Sequence, residues 1–200
     1  MTVQQTPVAE SAGTRERILR ATLRVIGEQG VGAVSNRLLA SEAGVALGSL
    51  TYHFASQTEL LREALSLYVS EEVARLDGIA LAIRAASPTE EQVAARIESI
   101  VGETILGPEQ IAEFELHLQA ARDPELRDAS RRCFEAYDDV AAAVLQALEV
   151  PDAERHARTV VALLSGLAVR RLGTGEHDAG GTAEALLAFV RGVRAGATGR

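Results

Sequence analysis

Residues 43–54 read AGVALGSLTYHF. Gly44 and Gly48 stand about one helical turn apart, and Tyr52, His53 and Phe54 follow in a row. Gly44 can take the left-handed backbone conformation closed to most residues, so the chain turns there. On its two sides, Leu39, Ala40, Val45 and Leu50 are placed to pack one short helix on another. Two helices joined by a short glycine turn, the second brief and surface-facing, are the sequence form of a helix-turn-helix. The free face of the second helix carries Gly48 and Ser49, small enough for close approach to DNA. It also carries Thr51, Tyr52 and His53, which can donate to phosphates or base edges. Phe54 reads as the anchor that holds this unit to the preceding helix.

Working outward, Ile18, Leu19, Thr22, Val25 and Ile26 recur at spacings of three and four. They predict a first helix from about Thr14 that ends at Gly30 and Gly32, with residues 1–12 as a loose tail. Ser35 is a good N-cap for a second helix over NRLLASEA. The third runs from roughly Ala46 to His53. Ser56 and Glu59 form a capping box that opens a long fourth helix to about Ala85. Further on, SPTE at 87–90 reads as another box with proline at the first helical position, and DPEL at 123–126 as a start of the same type. Gly107-Pro108 and Pro151-Asp152 mark two more boundaries, and GTGEHDAGGT at 173–182 reads as the longest glycine-rich loop. No segment alternates with period two. The expected fold is all-α, with about nine helices.

Hydrophobic residues make up 47% of the 200-residue chain and charged residues 24%, enough apolar material for a core and too much for a disordered chain. No run approaches the ~20 apolar residues that span a bilayer, and MTVQQTPVAESAG lacks the basic start and apolar stretch of a signal peptide. A cytoplasmic protein is expected. The single cysteine, Cys133, permits no internal disulfide, and no Cys/His cluster has metal-ligand spacing, so neither metal nor cofactor is expected. The net charge of −8 is regional. Residues 1–60 hold five arginines and five acids, whereas the rest holds fifteen arginines and twenty-three acids. A neutral N-terminal segment can sit on a phosphate backbone while an acidic body faces away.

RERILRATLRVIGEQGVGAVSNRLLASEAGVALGSLTYHFASQTELLREAL, residues 15–65, closely resembles the N-terminal DNA-binding domain of TetR-family transcriptional regulators. That family has an amphipathic first helix ending at glycine, a helix-turn-helix with AGV in the turn, an aromatic-rich end, and the start of helix four. The resemblance implies a helix-turn-helix domain over residues 13–58 and a larger helical ligand-binding and dimerisation domain over 59–200. Ser35 and Asn36 match positions that contact phosphate or lie beside the groove. Arg37 matches a position that reads a base in some members, where arginine can bind guanine bidentately. Leu47, Gly48, Ser49 and Thr51 match the exposed face of the recognition helix, and Tyr52 and His53 its end on the phosphate backbone. Gln57 matches a position usually held by Lys or Arg. Two departures stand out: Ala46 replaces the common N-cap serine of the recognition helix, and Gln57 replaces the usual cation.

In the body, the expected seventh helix carries Leu126, Cys133, Tyr137, Val140, Val144 and Leu148 along one stripe, and the sixth Ile111, Phe114 and Leu118. Such stripes are first of all core. Polar groups beside them, Glu113, His117, Arg132 and Tyr137, together with Phe114 and Cys133, are the candidates to line an effector pocket. The resemblance further implies that the last two helices, roughly 152–172 and 182–195, pair across a two-fold axis. Val160, Leu164, Leu167, Ala168, Leu186, Phe189 and Val190 are the interface candidates. A homodimer on a palindromic operator follows, most simply a repressor released by a small apolar or amphipathic ligand.

Two other classes compete. An enzyme finds little support: histidines 53, 117, 156 and 177 are scattered, and there is no nucleophile elbow, phosphate-cradling loop or metal motif. A ligand-binding or scaffolding helical dimer with a degenerate DNA-binding domain is the closer alternative. Ala46 and Gln57 speak for it; Arg37 and the intact SLTYHF speak against it.

Overall fold

The computed structural model describes residues 7–86, 88–103, 107–176 and 179–198, without the side chains of 7–12, 97–103, 109, 179 and 197–198. Among the described residues there are nine α-helices and no strand: α1 (Pro7–Gln29), α2 (Asn36–Ala43), α3 (Leu47–His53), α4 (Gln57–Ala86), α5 (Glu90–Glu103), α6 (Pro108–Ala120), α7 (Pro124–Ala147), α8 (Ala153–Thr174) and α9 (Ala179–Thr198). A 3-10 turn, Val31–Ala33, joins α1 to α2. The all-α expectation is met.

The chain forms two compact units, one from Met1–Ser70 with Leu106–Arg131, the other from Glu71–Ile105 with Arg132–Arg200. The divisions fall inside α4 and inside α7. By packing, α6 belongs to the same unit as the helix-turn-helix.

In the first unit, α1 supplies the central face. Ile18, Leu19, Val25 and Ile26 are buried, and Thr22 is buried with its hydroxyl donating to the Ile18 carbonyl at 2.8 Å. The helix starts at Pro7, inside the segment expected to be a tail; residues 1–6 of that segment lie outside the described residues. Proline suits a first helical position because its missing N–H needs no partner there. Gly30, at φ 82°, stops the helix. Against α1 packs α6, and its inward face is Ala112, Leu116 and Ala120, not the stripe expected from Ile111, Phe114 and Leu118. Leu118 is 66% exposed. Both sets keep helical spacing, and the small residues win because α6 lies so close to α1.

In the second unit, Val93, Leu145, Leu148, Val150, Val160, Leu186 and Val190 share one core with Ala141, Ala142, Ala153 and Ala157. Arg191 and Arg194 of α9 both reach Glu90 at the start of α5, at 3.1 Å. The capping box of α5 is made by Thr89 and Gln92, whose side chains exchange bonds with each other's backbone N–H at 3.4 and 3.0 Å. The expected partner Ser87 lies outside the described residues, and Pro88 precedes the helix instead of opening it. The expected glycine-rich loop is also shorter than its composition suggests. Gly173 belongs to α8 and Gly180 to α9, while His177 and Asp178 lie outside the described residues.

Candidate nucleic-acid interface

The geometry of the turn at residue 44 follows from its residues. Ser35 caps α2 by accepting from the Leu38 N–H at 3.4 Å, and Gly44 closes it at φ 63°, ψ 43° with its N–H returned to Ala40 and Ser41. The Val45 N–H bonds the Ala40 carbonyl at 3.0 Å, which turns the chain into α3. Ala46 stands at the N-cap of α3 in extended conformation with no side-chain bond, as the absent serine implies.

The seven residues of α3 divide cleanly. Leu50 is 2% exposed and seated inward, and the following Phe54 is 6% exposed. The Arg15 guanidinium of α1 stands over the Phe54 ring, 5.3 Å from its centroid, so this phenylalanine does tie the helix-turn-helix to α1. On the other side Leu47 is 55% and Tyr52 81% exposed, with Gly48 and Thr51 also open. This leaves one face of α3 open, with an apolar and an aromatic side chain beside Gly48 and Thr51. Thr51 directs its hydroxyl to the Gly48 carbonyl at 3.1 Å, Ser49 is half-buried, and the half-buried His53 meets Tyr52 edge-on with ring centroids 5.0 Å apart.

Asn36 and Arg37, in the first turn of α2, are exposed, as is the capping Ser35. The exposed Gln57, at the first position of α4, donates through Nε2 to the Val34 carbonyl at 3.3 Å. Ser56 and Glu59 make the expected capping interaction: the Glu59 N–H bonds Ser56 Oγ at 3.1 Å, and the Glu59 carboxylate accepts the Ala55 N–H at 2.7 Å. All ten residues expected to meet DNA thus lie in the first unit: the capping Ser35, two residues of α2, six of α3 and the first residue of α4.

The candidate effector residues are placed differently. Glu113, 6% exposed, accepts from the Tyr68 hydroxyl of α4 at 2.7 Å and bonds His117 Nε2 at 3.2 Å. The other ring nitrogen of His117 bonds Ser130 Oγ of α7 at 2.7 Å. A serine hydroxyl both donates and accepts, so it can complete either tautomer of the ring. Tyr68 and Ser130 lie 45 and 13 residues from their partners, too far apart in sequence for any local pattern to announce them. Phe114 is half-buried, Cys133 buried and Arg132 exposed. Tyr137 donates to Glu72 at 2.9 Å, within the second unit. Of the interface candidates, Val160, Leu186 and Val190 are buried in the core of the single chain. Leu164, Leu167, Ala168 and Phe189 remain half-buried, and Val169 and Leu172 stand exposed nearby on α8.

Comparison with known proteins agrees with this geometry. Residues 18–64 match the family described as bacterial regulatory proteins, tetR family, and residues 88–196 match the tetracyclin repressor-like, C-terminal domain. The HTH-type transcriptional regulator PksA of Bacillus subtilis (strain 168) is 37% identical over 86 residues, 43% of this chain and 41% of that regulator's length. The HTH-type nicotine-responsive transcriptional repressor HdnoR of Paenarthrobacter nicotinovorans is 26% identical over 150 residues, 74% of this chain and 73% of its own. Among solved structures, the multidrug binding protein EbrR complexed with ethidium is 31% identical, with a TM-score of 0.63 over 87% of this chain and 96% of that one. The chain belongs to the TetR family of bacterial DNA-binding transcriptional regulators.

Proposed function

We propose that this regulator is a homodimeric repressor that reads a palindromic operator and is released from it by a small amphipathic ligand. The observation that carries the DNA half of this reading is the division of α3, with Leu50 held inward and Leu47 and Tyr52 held out. Residues 13–58 do the reading: Ser35, Asn36, Tyr52, His53 and Gln57 toward phosphates, Arg37, Leu47, Gly48, Ser49 and Thr51 toward base edges. An exposed leucine adds apolar contact with a thymine methyl, and Arg37 suits guanine.

Two copies place two recognition helices one turn of duplex apart, ~34 Å, so the half-sites repeat with that spacing. Leu164, Leu167, Ala168 and Phe189, with the exposed Val169 and Leu172, form the pairing face of α8 and α9. Binding of the effector among the C-terminal helices shifts the population between two arrangements of the dimer through α4, by no more than the ligand's differential affinity for them.

For the ligand, an organic cation is the class best supported. HdnoR is named for nicotine and EbrR was solved with ethidium, both carrying a basic or cationic nitrogen. The excess of acids after residue 60 and the buried Glu113 carboxylate favour the same charge. The test uses Arg37→Ala and Tyr52→Ala on an operator selected from random DNA, with ethidium as the releasing probe. Both variants are expected to stay folded and dimeric and to lose operator binding; a folded dimeric variant that binds normally counts against the assignment.

A further inference from the structure

The 3-10 turn between α1 and α2 has no cap of its own. Gly30 stands at its N-terminal end with φ 82° and no side chain to offer. The first N–H of the turn, that of Val31, instead donates to Oε2 of Glu115 on α6 at 3.2 Å, across 84 residues of chain. A Cβ on Gly30 would lie 3.7 Å from Glu115 Oε1, so the carboxylate fills the side that a capping side chain would occupy. At the far end of the turn, the Val34 carbonyl accepts from Gln57 Nε2 at 3.3 Å, and the next residue is Ser35, the cap of α2. The three-residue turn is therefore tied by α6 on entry and by α4 on exit, and the helix-turn-helix begins directly after it.

We propose that Glu115 is a positioning residue for operator reading. It touches no DNA; through Val31 it fixes where α2 starts and hence the pitch at which α3 meets the groove. This rests on the DNA-reading function proposed above. Two features of α6 go beyond a local cap. First, its opening residue Pro108 is pressed against Gly27 of α1, so α6 has no freedom to approach α1 further. Second, Glu113 and His117 flank Glu115 on the same helix and are held by Tyr68 and Ser130 in a buried network. A slide of α6 by half an ångström takes the Val31 bond from 3.2 Å past hydrogen-bonding distance. The latch thus converts a small movement of α6 into release of the turn that starts the DNA-reading helices.

The experiment compares wild type, Glu115→Ala and Glu115→Gln. Gln keeps an acceptor for Val31 while removing the same charge as Ala, so a purely electrostatic effect on DNA moves both variants alike and upward. Three quantities are read: exchange of the Val31 amide by NMR, affinity for a selected operator, and affinity for random duplex. The expected result for Glu115→Ala is Val31 exchange faster by about tenfold and operator affinity lower by about tenfold. Affinity for random duplex stays within about twofold and the salt slope is unchanged, since no phosphate contact is lost. Glu115→Gln is expected to stay within about threefold of wild type on all three. Wild-type operator affinity in Glu115→Ala, or identical behaviour of the two variants, overturns the proposal while leaving DNA reading intact. Failure of the wild type itself to prefer any sequence overturns both.

Discussion

Gly27 of α1 lies directly on the backbone of Pro108 at the start of α6: a Cβ there would overlap the Pro108 carbonyl group. Gly→Ala inside a helix ordinarily stabilises by about 1 kcal/mol. Here the obstructing atoms are main chain, so α1 and α6 must separate and Gly27→Ala is expected to destabilise, by about 2 kcal/mol. Thermal melting checks the sign, since an increase in Tm removes the close approach from the account.

The uncapped start of α3 offers a gain. Ala46 already has the extended backbone of an N-cap, so Ala46→Ser needs no rearrangement to supply the missing acceptor. It is expected to add about 1 kcal/mol of stability, read as a higher denaturant midpoint at unchanged slope. Operator dissociation should slow in parallel, because a firmer α3 loses less order on binding.

Gln57 makes a protein bond where a cation would make a phosphate bond. Gln57→Lys exchanges the amide donor to Val34 for a charge at the start of α4. The logarithm of operator affinity against the logarithm of salt is expected to steepen by about 0.9, the value for one added phosphate contact. An unchanged slope places residue 57 away from the backbone and removes it from the contact set.

Tyr68→Phe tests the buried network. The Tyr68 hydroxyl is 2.7 Å from Glu113 Oε2, and a carboxylate at 6% exposure draws its stability from such donors. The substitution is expected to lower unfolding free energy by about 2 kcal/mol, and Tyr68→Phe with Glu113→Leu together should recover part of it. A denaturant titration of both proteins decides; equal stability of Tyr68→Phe and wild type contradicts the assigned role.

Legibility in the sequence followed the range of the interaction. Ser35 before α2, Gly44 after it and the Ser56–Glu59 box are local patterns, and each has the geometry its residues demand. The inward face of α6 is not legible from spacing, because Ile111, Phe114 and Leu118 fall at helical intervals just as Ala112, Leu116 and Ala120 do. Only the proximity of α1 selects the smaller set. For the box of α5, SPTE and TEEQ both fit the pattern, and it is Thr89 with Gln92 that holds the helix. The Glu115–Val31 bond and the Gly27–Pro108 contact join residues some eighty apart, and no local spacing announces either.

Whether two copies of the chain read specific DNA is decided by selecting bound duplexes from a random pool with the purified protein. The expected result is a palindromic consensus whose half-sites are centred about one helical turn apart, with thymine and guanine positions that relax in Leu47→Ala and Arg37→Ala respectively. No enrichment from protein shown to be folded and dimeric would contradict it, and would favour a ligand-binding dimer whose helix-turn-helix no longer reads DNA.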